Sequence, residues 1–236
     1  MIKALYFSLY GTLIDIRTDE HDPYVYSALS NYLAYHAVHI SPEKIQDEYF
    51  RRIEEHFENS EEEYPEVDIH NIFHDIMHRY GHGNGYSESV VTDTALLFRS
   101  LTVRHFELFP SLIDTLNRLH ENFRMAIVSD AQWVFAEPEM DILDITRFFE
   151  FSLFSSRFGF KKNDARFFNS ALEKLAVKPD ESIYIGNIKQ KELRCAKEAG
   201  MKCILFRTEC LEYDDHIADG CFFDYSVLEN MISTIT

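Results

Sequence analysis

An α/β fold is predicted: a parallel sheet covered by helices on both faces and interrupted once by a helical insertion. Three features of the sequence predict it. After residue 109, short apolar runs alternate with segments of helical period, the pattern of strands joined by crossover helices. From about Pro23 to His105, apolar residues instead recur three and four apart, which is the period of amphipathic helices. Ahead of both stands one short β-rich run, closed by Gly11 and Thr12. The expected division is a core built from residues 1–16 and 109–236 and a helical insertion over 17–108.

Each element has a local reason. The first strand, about residues 3–8, is apolar and ends in "FSLYGTLID", where Gly11 signals a turn. Four helices are expected in the insertion, in "YVYSALSNYLAYHAV", "SPEKIQDEYFRRIEEHF", "EVDIHNIFHDIMHRYG" and "SESVVTDTALLFRSLTVRHF". Ser41, Pro42 and Glu43 open the second as cap, first-turn proline and first-turn acid, and Gly81 closes the third. Residues 111–121 then read as a helix and "FRMAIVSD" and "FFEFSLFSS" as strands. "DARFFNSALEKLAV" is a helix, "SIYIGN" a strand, "KELRCAKEAG" a helix and "KCILF" a strand. Ligands of such sheets bind beyond the carboxyl ends of the strands, so Ser8, Ser129 and Asn187 are expected to converge.

Composition narrows the function. With 236 residues, 46% of them hydrophobic, the chain has material for a large core. No run approaches the length of a membrane span, and the first residues lack the pattern of a secretory signal. Cys195, Cys203, Cys210 and Cys221 cluster late in the chain without metal-ligand spacing, which fits reduced thiols and a cytoplasmic location. A formal net charge of −17 opposes nucleic acid and anionic membranes. Small molecules or protein partners are expected instead, and the acidic stretch "ENSEEEYPE" reads as a solvated loop.

Taken in order, "FSLYGTLID", the helical insertion, "IVSD", "GFKKNDARFF" and "YIGNIKQKELRCAKEAGM" resemble the haloacid dehalogenase-like hydrolase superfamily from end to end. The resemblance implies a Rossmann-like core with a helical cap. It also implies a site. The family's phosphatases carry a nucleophilic aspartate where this chain has Ser8 and a second aspartate, the acid and base, where it has Tyr10; the haloacid dehalogenases carry tyrosine at that second position. Thr12, Ser129 and Lys162 match the groups that hold the transferred anion, with Lys161 as the alternative if the loop shifts by one residue. Asn187 and Glu192 fall on the acids of the metal site.

The residues at these positions point to weakened chemistry. A serine needs a base to become a nucleophile, whereas a carboxylate is already ionised at neutral pH. Tyr10, neutral at that pH, is a poor base. Ser8 and Asn187 remove two carboxylates from a site that would hold Mg²⁺ by oxygen ligands, and Lys189 and Lys191 repel a cation further. A pocket that keeps Lys162 can still hold an anion. The main reading is therefore a catalytically impaired member, expected to need no cofactor, with a residual pocket for a phosphometabolite. One alternative is an active phosphatase or dehalogenase-like hydrolase, which would use Mg²⁺; another is a protein-interaction module working through the acidic surface or the cap. Separately, His70, His74 and His78 recur every four residues, a spacing that can place imidazoles around a metal but more often makes a solvated stripe.

Overall fold

The computed structural model describes residues 1–82, 86–187, 190–206 and 218–235, with the backbone alone at 190–192. Its centre is a sheet formed by β1 (Ala4–Phe7), β4 (Arg124–Ser129), β5 (Ser152–Phe154), β6 (Ser182–Asn187), β7 (Lys202–Phe206) and β8 (Gly220–Phe222). Among the described residues the strand order is β5-β4-β1-β6-β7-β8, and neighbours pair in parallel. The order reverses at β1, so the crevice beyond its carboxyl end is the topological switch point of the sheet.

All four residues of β1 are buried because both faces of the sheet are covered. Leu5 and Phe7 pack with Leu116, Met140 and Ile232 on one face, while Ala4 and Tyr6 pack with Phe168, Ala171 and Leu193 on the other. The first face is covered by helices α5 (Leu112–His120), α6 (Trp133–Ile142) and α9 (Leu228–Ile235), the second by α7 (Ala165–Leu175) and α8 (Gln190–Glu198). Of these, α6 and α9 escape sequence reading. Pro138 lies inside α6 and masks its helical period, and α9 is only eight residues long.

The insertion folds as four helices: α1 (Pro23–Tyr35), α2 (Pro42–Asn59), α3 (Ile69–Tyr80) and α4 (Glu88–Thr102). Ser41 caps α2 through the Lys44 N–H and Asp68 caps α3 through the His70 N–H. Their apolar faces meet in a separate core of Tyr26, Tyr49, Phe73 and Phe98, joined by Phe135 from α6. The expected fourth helix stops at Thr102. Its last residues, with those before α1, form an antiparallel ribbon of β2 (Ile14–Thr18) and β3 (Val103–Leu108) that connects core and insertion. Period two explains the switch: Ile14, Ile16, Phe106 and Leu108 face the core, while Asp15, His105 and Glu107 face outward. The phenylalanine-rich strand is also shorter than expected, since only Ser152–Phe154 pairs and Phe148 lies in a 3-10 turn.

One buried charge holds the insertion together. Glu48 on α2, fully buried, accepts hydrogen bonds from Arg51 at 2.6 Å, Arg52 at 3.1 Å and the Tyr80 hydroxyl of α3 at 2.9 Å. Burial pushes its carboxyl up, but the bonds from Arg51 and Tyr80 and the two arginine charges outweigh this and hold it down to about 2, against an ordinary 4.5. A depressed acid stabilises the fold above its unfolded value and loses that contribution as pH falls through the folded one. Denaturant titrations between pH 5 and pH 2 are therefore expected to show a loss of about 3 kcal/mol that Glu48→Gln lacks. Parallel curves for the two proteins would remove Glu48 as the acid-sensitive group.

Candidate active site

The turn after β1 is tied to both neighbouring strands. The Ser8 N–H donates to the Ile185 carbonyl at 2.9 Å, and the Leu9 N–H donates to the Ser129 hydroxyl at 3.2 Å. Gly11 has φ +71°, and a Cβ there would collide with the Asn187 side chain, so glycine lets the turn close under the end of β6. Ser8, Ser129 and Asn187 thus meet at the carboxyl ends of β1, β4 and β6. Ser8 and Ser129 are buried and Asn187 is half-buried.

Lys162 completes the group. Its backbone N–H donates to Asp130 at 2.7 Å, which fixes the loop, and its buried ammonium donates to the Ser8 Oγ at 2.8 Å and to the Tyr184 hydroxyl at 2.9 Å. The alternative lysine points elsewhere: Lys161 donates its backbone N–H to the Tyr64 carbonyl and lays its ammonium over the Phe57 ring. A lysine ammonium only donates, so Ser8 receives a proton-bearing neighbour and directs its own O–H onward.

Tyr10 is turned away from this group. Its hydroxyl donates to Glu139 of α6 at 2.5 Å, and Arg99 of α4 holds the same carboxylate at 2.6 and 3.3 Å while lying over the Tyr10 and Phe135 rings. Burial, reinforced by the Glu139 charge, pushes the phenol far above its ordinary range. It packs under the helices instead. Thr12 is fully buried; its Oγ1 has no hydrogen-bond partner among the described residues, and its carbonyl accepts from the Tyr225 hydroxyl.

The metal implied by the resemblance finds a poor set of donors here. The Ser8 oxygen already faces an ammonium, Asn187 is a neutral amide, and the Glu192 side chain lies outside the described residues. Mg²⁺ takes carboxylates and water in near-octahedral geometry, and the described donors do not fit it. The histidine stripe also separates: His70 is buried against Thr92 and Trp133, whereas His74 and His78 stack at 6.3 Å on the outer side. Among the described residues, three metal-ligating atoms come within 4.8 Å of one another at Asp15, His105 and Glu107 on the ribbon, a set that pairs His105 with both carboxylates.

Above Tyr10 and Asp130, between helices and sheet, lies a cavity of about 400 Å³ whose wall includes Glu20, Glu66, Arg99 and Gln132. Sequence reasoning missed these four. Glu66 ends the acidic stretch expected to be solvated, yet it is buried: its N–H donates to the Gly159 carbonyl, and its carboxylate accepts from the Ser155 hydroxyl at 2.8 Å. Burial raises that carboxyl above the usual range, opposed by the Ser155 bond. Pro65, beside it, bridges to Phe160, so this loop joins the segment that carries Lys162. The proline within the acidic run was the one local sign of order.

Comparisons place these features among known proteins. A family profile described as "Haloacid dehalogenase-like hydrolase" matches residues 88–206. A glyceraldehyde 3-phosphate phosphatase of Methanothermobacter thermautotrophicus is 31% identical over 111 residues, 46% of this chain and 49% of the relative. One of Methanocaldococcus jannaschii is 26% identical over 143 residues, 60% of this chain and 61% of the relative. The chain thus spans about half to three fifths of the length of these relatives. In fold, a 2-haloacid dehalogenase from Pseudomonas syringae pv. Tomato superposes over the full length of both chains with a TM-score of 0.70 at 20% identity.

Proposed function

The chain belongs to the haloacid dehalogenase-like hydrolase family, and from that premise we propose that its cavity recognises a small phosphomonoester, with the phosphoryl group at Ser8, Ser129 and Lys162. The observation that carries this reading is the 2.8 Å contact from the Lys162 ammonium to the Ser8 oxygen. It brings an ammonium and a hydroxyl together at the switch point of the sheet, where an anion's oxygens gain charge-assisted hydrogen bonds. The nearby Leu9 and Ser8 N–H groups already have partners, so these side chains supply the recognition.

Two readings divide at turnover. In the first, the ligand is bound without an ester intermediate, because no carboxylate stands at position 8 to attack phosphorus. The second is hydrolysis, and the relatives named as phosphatases favour it over impairment. Attack by Ser8 would form a bond from Oγ to phosphorus and break the bond to the leaving oxygen, the serine proton passing by way of Lys162 to that oxygen; water would then cleave the Oγ–phosphorus bond, releasing phosphate and restoring the hydroxyl. Lys162, the group in contact, takes that proton only as a free amine, so turnover by this route rises with pH.

Calorimetric titration with inorganic phosphate, paired with a phosphate-release assay over a panel of phosphomonoesters, tests both. Phosphate is expected to bind the wild type roughly ten- to a hundred-fold more tightly than Lys162→Met, the loss of one charged hydrogen-bonding group, with folding checked by circular dichroism. Equal affinity in the two proteins overturns the site. Release that Ser8→Ala abolishes decides for hydrolysis; release equal in both proteins decides against a covalent role for Ser8.

A further inference from the structure

The cavity wall carries three carboxyls against one cation that is already ion-paired, and this selects the organic half of the ligand. Several donors lining it are engaged within the protein: Tyr10 donates to Glu139, Tyr49 donates to Glu20 at 3.1 Å, and one N–H of the Gln132 amide donates to the Val67 carbonyl at 2.8 Å. Arg99, the one cation of the wall among the described residues, lays its guanidinium fork on Glu139. Opposite stand three carboxyls. Glu20 accepts from Tyr49, Asp130 accepts one backbone N–H, and Glu66 accepts from Ser155 and the Val67 N–H. A carboxylate has about four acceptor sites, so each keeps capacity for a further donor. They do not gather as a cation site, because no three of their oxygens approach one another as ligands would.

A ligand carboxylate placed here would meet like charges and a cation whose charge is already paired with Glu139, and like-charge contact costs several kcal/mol in a partly dry site. A hydroxyl or ammonium would find acceptors. We propose that the site takes phosphomonoesters whose organic half is a hydrogen-bond donor, hydroxyl- or amine-bearing, and rejects those bearing a carboxylate. The inference rests on the phosphomonoester reading above and names its substrate class. Glu139 acts in it as a positioning residue: by holding Arg99 it keeps the wall from offering a free positive charge.

Titrations with inorganic phosphate, glycerol 3-phosphate, phosphoethanolamine and phosphoglycolate test it. The hydroxyl and amine compounds are expected to bind at least about ten-fold more tightly than phosphoglycolate, and the tighter of the two assigns the neutral or the cationic donor. Glu139→Gln releases the charge of Arg99, so phosphoglycolate should gain affinity while the others do not; Glu20→Gln should narrow the same gap without touching Arg99 and stands in should the first variant fail to fold. If phosphate binds while phosphoglycolate equals or exceeds the donor-bearing compounds, the inference is overturned and the phosphomonoester reading survives. If not even phosphate binds, both are overturned.

Discussion

Replacing Arg99 by alanine is expected to lower the free energy of unfolding by about 3–5 kcal/mol, the range for removing one partner of a buried ion pair. Arg99 comes from α4 of the insertion and Glu139 from α6 of the core, and Glu139 is only 6% exposed. Without the guanidinium the carboxylate keeps a single strong donor, the Tyr10 hydroxyl. The two rings under the guanidinium also lose their cation contact. Urea denaturation measures the loss. A double variant, Arg99→Met with Glu139→Leu, is expected to cost much less because it leaves no buried charge unmatched. A cost for Arg99→Ala under about 1 kcal/mol, the value of a surface pair, would mean that water reaches Glu139 and that α4 lifts readily from α6.

Ser8→Asp together with Asn187→Asp is expected to create a Mg²⁺ response where the wild type gives none in a calorimetric titration. The two positions lie at the carboxyl ends of β1 and β6, adjacent strands in register through Phe7 and Ile185, so both new carboxylates enter the same crevice. One or two carboxylates with waters suffice for Mg²⁺. The new acid at position 8 would also face Lys162, now 2.8 Å from the serine oxygen, which keeps it ionised. Tyr10 is left alone by design, because an acid there would stand against the Glu139 carboxylate. Unchanged affinity in a folded double variant would place the family's metal position elsewhere.

Much of the site was legible because it is local. Ser8, Gly11 and Thr12 lie in one turn, and a serine at the strand end is a chemical statement whatever surrounds it. Of the two adjacent lysines, the sequence favoured Lys162 with Lys161 as the alternative, and their surroundings differ only in three dimensions: Lys162 is held by Asp130 and meets Ser8, while Lys161 lies over Phe57. Asp164 caps α7 within the same short segment, its side chain accepting the Arg166 N–H. By contrast Tyr10 admitted two readings, and its partner Glu139, 129 residues away, had no local mark.

By itself the sequence determined the alternation of strands and helices, the place of the helical insertion and the neutral side chains, serine and asparagine, at positions 8 and 187. These follow from hydrophobic period and residue type, which act over a few neighbouring residues. Only the tertiary structure decided that the linkers pair as a ribbon, that Glu66 leaves solvent to line the cavity, and that Arg99 is bound to Glu139. Each of these is a contact between segments distant in the chain, formed because a charge or hydrogen-bonding group taken from water must find a partner, and no spacing within either segment names that partner.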